Sequence, residues 1–149
     1  MAFVICDVDE FKLFNDRYGH KCGDEVLQAV AREISSTLRT QDHVARWGGE
    51  ELLLLLPETT LEAAETVAEK LRIAVAEMRT PWGSEHVGVT LTAGVAELQM
   101  DEDFTSCLAR ADHALLEGKR LGKNRVIAVG QRHLPLDEQT VLSFRSVKI

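Results

Sequence analysis

The 149-residue sequence has no long apolar run, no surplus of positive charge and no cysteine pair at a metal-binding spacing. Apolar stretches such as Leu52 to Leu56 fall far short of the roughly 20 residues that a membrane-spanning helix needs. Met1 is not followed by a basic stretch and a signal-type apolar segment, so neither a span nor a secretory leader is expected. Lysine and arginine number 17 against 24 aspartates and glutamates, a formal net charge of -7. That balance excludes the broad basic surface with which duplex binders displace counterions, and no nucleic-acid partner is expected. An anionic substrate must instead meet locally placed lysines, arginines or metal. The three cysteines, Cys6, Cys22 and Cys107, show no Cys-x-x-Cys spacing and predict neither a disulfide framework nor a zinc site. A reduced, cytoplasmic setting is the simplest reading. There is no internal repeat, and the length leaves room for one core only.

Ala2 to Cys6, rich in Phe, Val and Ile, predicts a buried strand that delivers Asp7 to its end. A polar loop containing Gly19 and Gly23 is expected next. Leu27, Val30, Ala31, Ile34 and Leu38 then recur at helical spacing, with Asp24 where a cap would sit. His43 to Trp47 and Glu51 to Leu56 flank Gly48-Gly49, a pair that accepts positive φ and so predicts a hairpin with Glu50 and Glu51 at its tip. Thr59 and Glu62 have capping-box spacing ahead of an apolar stripe from Leu61 to Met78. After a loop with Pro81 and Gly83, residues 87 to 96 alternate as a strand. Phe104 to Leu115 marks another helix, and Val126 to Val129 a last strand. A central hairpin requires a mixed sheet. The expected fold class is α+β, a mixed sheet flanked by helices, ferredoxin-like or polymerase-palm-like with an extra helix and strand. Gln131 to Ile149 has no clear periodicity and is expected to lie outside the core as a tail.

The segment from Asp7 to His20 packs carboxylates, a lysine, an amide and an imidazole beside one strand end. Asp7 and Glu50 would face one cleft if their strands are neighbours, and two close like charges are costly without a cation between them. Oxygen ligands of this kind suit magnesium, which commonly bridges protein carboxylate and substrate phosphate. Taken singly, each acid reads as an ordinary solvated loop residue.

Three separated blocks change that balance. Asp7-x-Asp9-x-Phe11-Lys12-x-x-Asn15-Asp16-x-Tyr18-Gly19-His20-x-x-Gly23-Asp24, then Arg46-x-Gly48-Gly49-Glu50-Glu51, then Ala111-Asp112-x-Ala114-Leu115 with Lys119-x-x-Gly122-x-Asn124, resemble the GGDEF family of diguanylate cyclases. The resemblance implies a domain over residues 1–130, lacking the helix that usually precedes it, and an upstream sensory or dimerising domain outside this chain. It implies condensation of two GTP into cyclic dimeric GMP by a homodimer with magnesium or manganese, two ions per half-site. The alternative it leaves open is a noncatalytic module of the same fold that senses GTP or cyclic dimeric GMP.

The same resemblance implies that Asp7, the carbonyl of Val8 and Glu50 hold metal. Glu50 doubles as base for the 3'-hydroxyl and Glu51 assists. Asn15 and Asp24 would read guanine, Asp24 otherwise being a helix cap. Lys12, Lys119 and Lys123 would approach the phosphates, His20 would contact substrate or brace the loop, and Asp9 would orient it. Arg39-x-x-Asp42, separated from Gly48 by five residues, has the register of an inhibitory site for the product. Four positions depart from the family pattern. Leu52 stands for Phe, Leu116 and Gly118 for Tyr and Ala, and Lys123 for Arg. Gly118 inside a helix is expected to cost about 1 kcal/mol relative to Ala.

Overall fold

The computed structural model describes residues 1–130; the expected tail, 131–149, lies outside the described residues. The order is β1 (Ala2–Val8), α1 (Phe11–Tyr18), α2 (His20–Thr37), β2 (His43–Arg46), β3 (Glu51–Leu56) and α3 (Leu61–Glu77). It continues with β4 (Thr80–Trp82), β5 (Glu85–Val87), β6 (Leu91–Glu97), α4 (Phe104–Arg120) and β7 (Val126–Val129). Five strands form one sheet in the order β2-β3-β1-β6-β7, while β4 and β5 make a separate hairpin. Only the β6–β7 pair is parallel, so the sheet is mixed, as the central hairpin requires.

Side-chain alternation along β1 divides the core in two. Ala2, Val4, Cys6 and Val8 pack with Leu54 and Leu56 beneath Val26, Val30 and Ile34 of α2 and Ala68, Leu71 and Val75 of α3. Phe3 and Ile5 face the other way, onto Cys107, Leu108, Ala111 and Leu115 of α4. Full burial of each such aliphatic side chain contributes about 1.5–3 kcal/mol. Asp7 continues the Phe3–Ile5 alternation and therefore falls on the α4 face. That helix lies close enough that a Cβ on Gly94 of β6 would sit 2.0 Å from the Ala111 carbonyl oxygen. Arg110, 2% exposed, pins it further, with Nε and Nη2 forked onto Glu102 at 2.7 and 2.6 Å and Nη2 donating to the Glu97 carbonyl at 2.6 Å.

Several local expectations are corrected. The segment after β1 is two helices rather than a polar loop, joined through Gly19 at φ 87. Asp24 therefore lies inside α2, and the cap position belongs to Gly19. Gly48 and Gly49 are absent from the positive-φ residues; a Cβ on Gly48 would meet only the flexible end of Glu51, Oε2 at 3.1 Å, and one on Gly49 would meet nothing within 4 Å. The α3 cap is Thr60, which accepts from Ala63 N–H at 3.3 Å, while the Thr59 hydroxyl turns back to the Pro57 carbonyl. The strand expected over residues 87 to 96 is broken between β5 and β6. Gly118 packs against β6, where a Cβ would sit 2.7 Å from Thr92 Cγ2, so its place in the helix follows from packing.

Candidate active site at the strand ends

Asp7 sits opposite Glu51 of β3 and Thr92 of β6. Its Oδ2 is paired with Nζ of Lys119 from the last turn of α4, whereas its Oδ1 is buried with no hydrogen-bond partner. An unsatisfied buried acceptor costs about 1–3 kcal/mol, and a ligand that bonds Oδ1 removes that cost. The neighbouring Val8 N–H donates to the Glu50 carbonyl at 3.3 Å, which fixes the hairpin tip beside Asp7. Arg46 braces that tip, its guanidinium donating to the Gly49 carbonyl at 2.9 and 2.6 Å and to the Gly48 carbonyl at 3.3 Å.

Charge is crowded here. Burial pushes the Asp7 carboxyl up from its usual range, Lys119 opposes the rise, and Glu50 and Glu51 add to it. Glu51 is raised by burial as well, with Lys119 opposing and Asp112 and Glu50 adding. Asp112 follows the same pattern, raised by burial and opposed by Lys119 and His113. Four carboxylates thus share one ammonium, an arrangement that a bound divalent cation relieves. Among the described residues no three His, Cys, Asp or Glu side chains form a metal cage. An ion here would take Asp7, Glu50 and backbone carbonyl and complete its shell with water and substrate oxygens, as magnesium commonly does. Cys6, beneath this cluster, is pushed up to about 12 by burial with Asp7 and Glu51 adding, and behaves as an inert apolar side chain.

A cleft of about 450 Å³ opens beside the cluster between α2 and the hairpin, lined by Asp24, Leu27 and Gln28 on one side and Arg46, Gly49 and Glu50 on the other. This is the size range of small-molecule sites. Asp24 and Glu50 therefore share one wall-to-wall space. The Asn15 amide lies against Gly23, the chain neighbour of Asp24. Lys12 is exposed on α1, and His20 is exposed at the start of α2; neither lines the cleft. Lys123 reaches Glu10 at 3.1 Å, so both it and Lys119 span from the α4–β7 side to acids at the end of β1. Arg39 and Asp42 lie in the connection between α2 and β2. The Asp42 carboxylate accepts from the Arg39 N–H at 2.9 Å and the Asp42 N–H donates to the Arg39 carbonyl at 3.0 Å. That reciprocal pair makes a tight turn with an exposed Arg39 side chain.

The structure adds residues that spacing alone had not singled out. Thr90 and Thr92 donate to the two oxygens of Asp9 at 2.7 and 2.5 Å, and the Asn124 N–H donates to Asp9 Oδ2 at 2.9 Å. Their sequence signal was weak, since two threonines in a strand read as ordinary β-formers. Arg46 and Asp112 stood inside the motif blocks without an assigned role.

The fold and this cleft define a palm-like α+β domain with a carboxylate-rich site at its strand ends. Residues 1–125 match the family model described as diguanylate cyclase, GGDEF domain, and the chain belongs to that family, whose members use divalent metal. It is 43% identical over 127 residues to the diguanylate cyclase DgcM of Escherichia coli, covering 85% of this chain and 30% of that protein. The active GGEEF domain of a diguanylate cyclase from Vibrio cholerae superimposes with a TM-score of 0.80 at 36% identity, covering 87% of this chain and 83% of that one. The GGDEF domain of DgcB from Caulobacter crescentus, solved in complex with c-di-GMP, gives 0.81 at 35% identity, over 85% and 76% of the two chains. The chain spans 19 to 36% of the length of three curated diguanylate cyclases it matches. No helix among the described residues is long and apolar enough to cross a membrane.

The crowding has a measurable sign. A carboxyl whose native pKa is raised destabilises the fold while ionised, and that loss is recovered as pH falls through the raised value. Asp7→Asn is therefore expected to melt about 3 °C or more above the parent at pH 8. The difference should shrink as pH falls toward the unfolded value of 3.8. Millimolar magnesium should raise the parent's melting temperature and leave the variant's unchanged. A variant less stable than the parent at pH 8 would show that the Lys119 pair outweighs the crowding.

Proposed function

We propose that residues 1–130 form a catalytic domain that condenses two GTP molecules into cyclic dimeric GMP and two pyrophosphates. The observation that carries this reading is the unpartnered Asp7 Oδ1, next in the chain to Val8, whose N–H holds Glu50, itself a wall of the cleft that Asp24 also lines. Magnesium or manganese, two ions per half-site, held by Asp7, the Val8 carbonyl and Glu50, would supply charge neutralisation on the phosphates and a lowered barrier for hydroxyl ionisation.

The chain's own residues do the rest. Asp24 accepts from guanine N–H donors and Asn15 completes the base contact, which places the ribose towards the hairpin tip. Lys119 leaves Asp7 Oδ2 to meet the phosphates, joined by Lys123 and, from α1, by Lys12. Glu50 takes the proton from the 3'-hydroxyl as its oxygen attacks the α-phosphorus of the facing nucleotide. The bond from that phosphorus to the bridging oxygen breaks and pyrophosphate leaves. Each domain holds one nucleotide, so two domains must face one another, and the active unit is a homodimer set by upstream parts of a longer cytoplasmic protein. Glu51 supports the metal site, and His20 contacts substrate or braces α1 against α2. A noncatalytic sensing module of the same fold would bind nucleotide without needing four crowded carboxylates beside it.

Arg39 and Asp42 form the proposed product site. The tight turn leaves the guanidinium exposed, ready to fork onto a phosphate or a guanine edge. Occupation there would restrain two domains from facing and lower turnover without blocking the cleft.

Glu50→Gln in the full-length protein should lower cyclic dimeric GMP formation by about 10²-fold or more while GTP binding holds and the melting temperature does not fall. Turnover at the parent rate by a folded dimer would remove Glu50 from the chemistry. Arg39→Ala should abolish calorimetric binding of cyclic dimeric GMP and leave GTP binding intact; unchanged product affinity would move the inhibitory site elsewhere.

A further inference from the structure

Gly23 lies in the first turns of α2 and is buried, although its neighbour Asp24 is exposed to the cleft. A Cβ built at Gly23 would sit 1.9 Å from Asn15 Oδ1 and 3.0 Å from Asn15 Cγ. No real Cβ tolerates the first of these distances. The carboxamide of Asn15 thus occupies the volume that any other residue at position 23 would fill. The third close atom is Phe11 Cζ, also at 3.0 Å. Asn15 Oδ1 is itself buried and has no hydrogen-bond partner. Position 23 has no need of glycine for backbone reasons, because it is helical and absent from the positive-φ residues. In a helix interior, glycine is less favourable than alanine by about 1 kcal/mol, so the gain must come from the space it leaves.

We propose that Gly23 is a specificity-determining positioning residue: its missing side chain seats the Asn15 carboxamide against the turn of α2 that carries Asp24, so that both groups meet one base edge. The inference rests on Asn15 and Asp24 being the guanine-reading pair. Its physical content is that the seat is made by α2 and the reading group by α1. The two short-range partners are joined through Gly19, whose carbonyl accepts from Gly23 N–H at 3.1 Å and whose N–H donates to the Asn15 carbonyl at 2.7 Å. The connection between α1 and α2 therefore fixes both backbones, and the only freedom left to Asn15 is its own side chain. Filling the space at position 23 turns that side chain away from the base edge while leaving Asp24, Glu50 and the lysines in place. A polar site built for one base discriminates strongly because the wrong base leaves buried groups unpaired, and a displaced amide forfeits that discrimination.

The test is a double-mutant cycle in the full-length protein, with a non-hydrolysable GTP analogue and its adenine counterpart titrated calorimetrically against the parent, Asn15→Ala, Gly23→Ala and the double variant. Each single change should weaken the guanine analogue about tenfold or more and leave the adenine analogue within about twofold. The double variant should bind no more weakly than the weaker single, since residues that act through one contact are not additive. Turnover at saturating GTP should fall much less in Gly23→Ala than its affinity does, a split that general loss of structure would not give. Independent, multiplying losses would overturn the inference, as would parent affinity in Gly23→Ala alongside a loss in Asn15→Ala. Parent affinity in Asn15→Ala would sink the guanine-reading assignment itself, and the inference with it. Should Gly23→Ala fail to fold, recovery of folding in the double variant places the conflict on Asn15 and supports the inference. Failure of both places it on Phe11 and overturns it.

Discussion

The carboxylate of Asp9 is the contact on which the site depends. It accepts from Thr90 and Thr92 of the β6 region and from the backbone N–H of Asn124, while its own N–H donates to the Thr90 carbonyl at 2.9 Å. One side chain thereby joins the end of β1, the start of β6 and the turn between α4 and β7. The residues around it are strained, since Glu10, Lys123 and Asn124 all have φ between 46 and 63°. Non-glycine residues in that region cost of order 1–3 kcal/mol each and persist where surrounding contacts over-determine them. Arg72 of α3 adds a second anchor by donating to the Asn124 side chain at 2.8 Å. Held in this way, the α4–β7 turn carries Lys119 and Lys123 across to Asp7 and Glu10.

From that frame the electrostatics follow. β1 and β3 bring Asp7 and Glu51 into register, the hairpin adds Glu50, and α4 contributes Asp112 and Lys119. One lysine is too little charge for so many acids. A site that stays under-neutralised without ligand is less stable than it could be, the usual relation between stability and activity. Under the proposed function, the same shortage is what a metal and a nucleotide would relieve on binding. Lys119 links the two states, since its ammonium can serve Asp7 or a phosphate but not both.

Much of this was legible in the sequence because it rests on local pattern. The apolar runs in Ala2 to Cys6 and Glu51 to Leu56, the stripe from Leu61 onwards and the spacing of the three motif blocks all depend on residues close together in the chain. Where the spacing predicts a polar loop containing Gly19 and Gly23, the structure has α1 and the start of α2, and the difference has a physical reason. α1 buries only Phe11 and Phe14, too few positions to show a helical period, and Gly19, at φ 87, separates it from α2. The break before β6 was hidden because it is made by distant partners, Arg79 filling the space at Gly88 and Asp9 drawing in Thr90. Gly118 looked like a helix defect until Thr92 was seen to lie against it. Asp9 and Arg46 were visible as letters of a motif, but what they hold could be read only once the strands were side by side.

The central claim is that Asp7 and Glu50 form a metal seat that Lys119 occupies in part until ligand arrives. Anomalous diffraction from crystals grown with manganese and a non-hydrolysable GTP analogue tests it most directly. A manganese peak bonded to Asp7 Oδ1 and to a Glu50 carboxylate oxygen is expected, with Lys119 moved from Asp7 to the phosphates. Nucleotide bound in the cleft with Lys119 still on Asp7, and manganese bound away from both carboxylates, would contradict it.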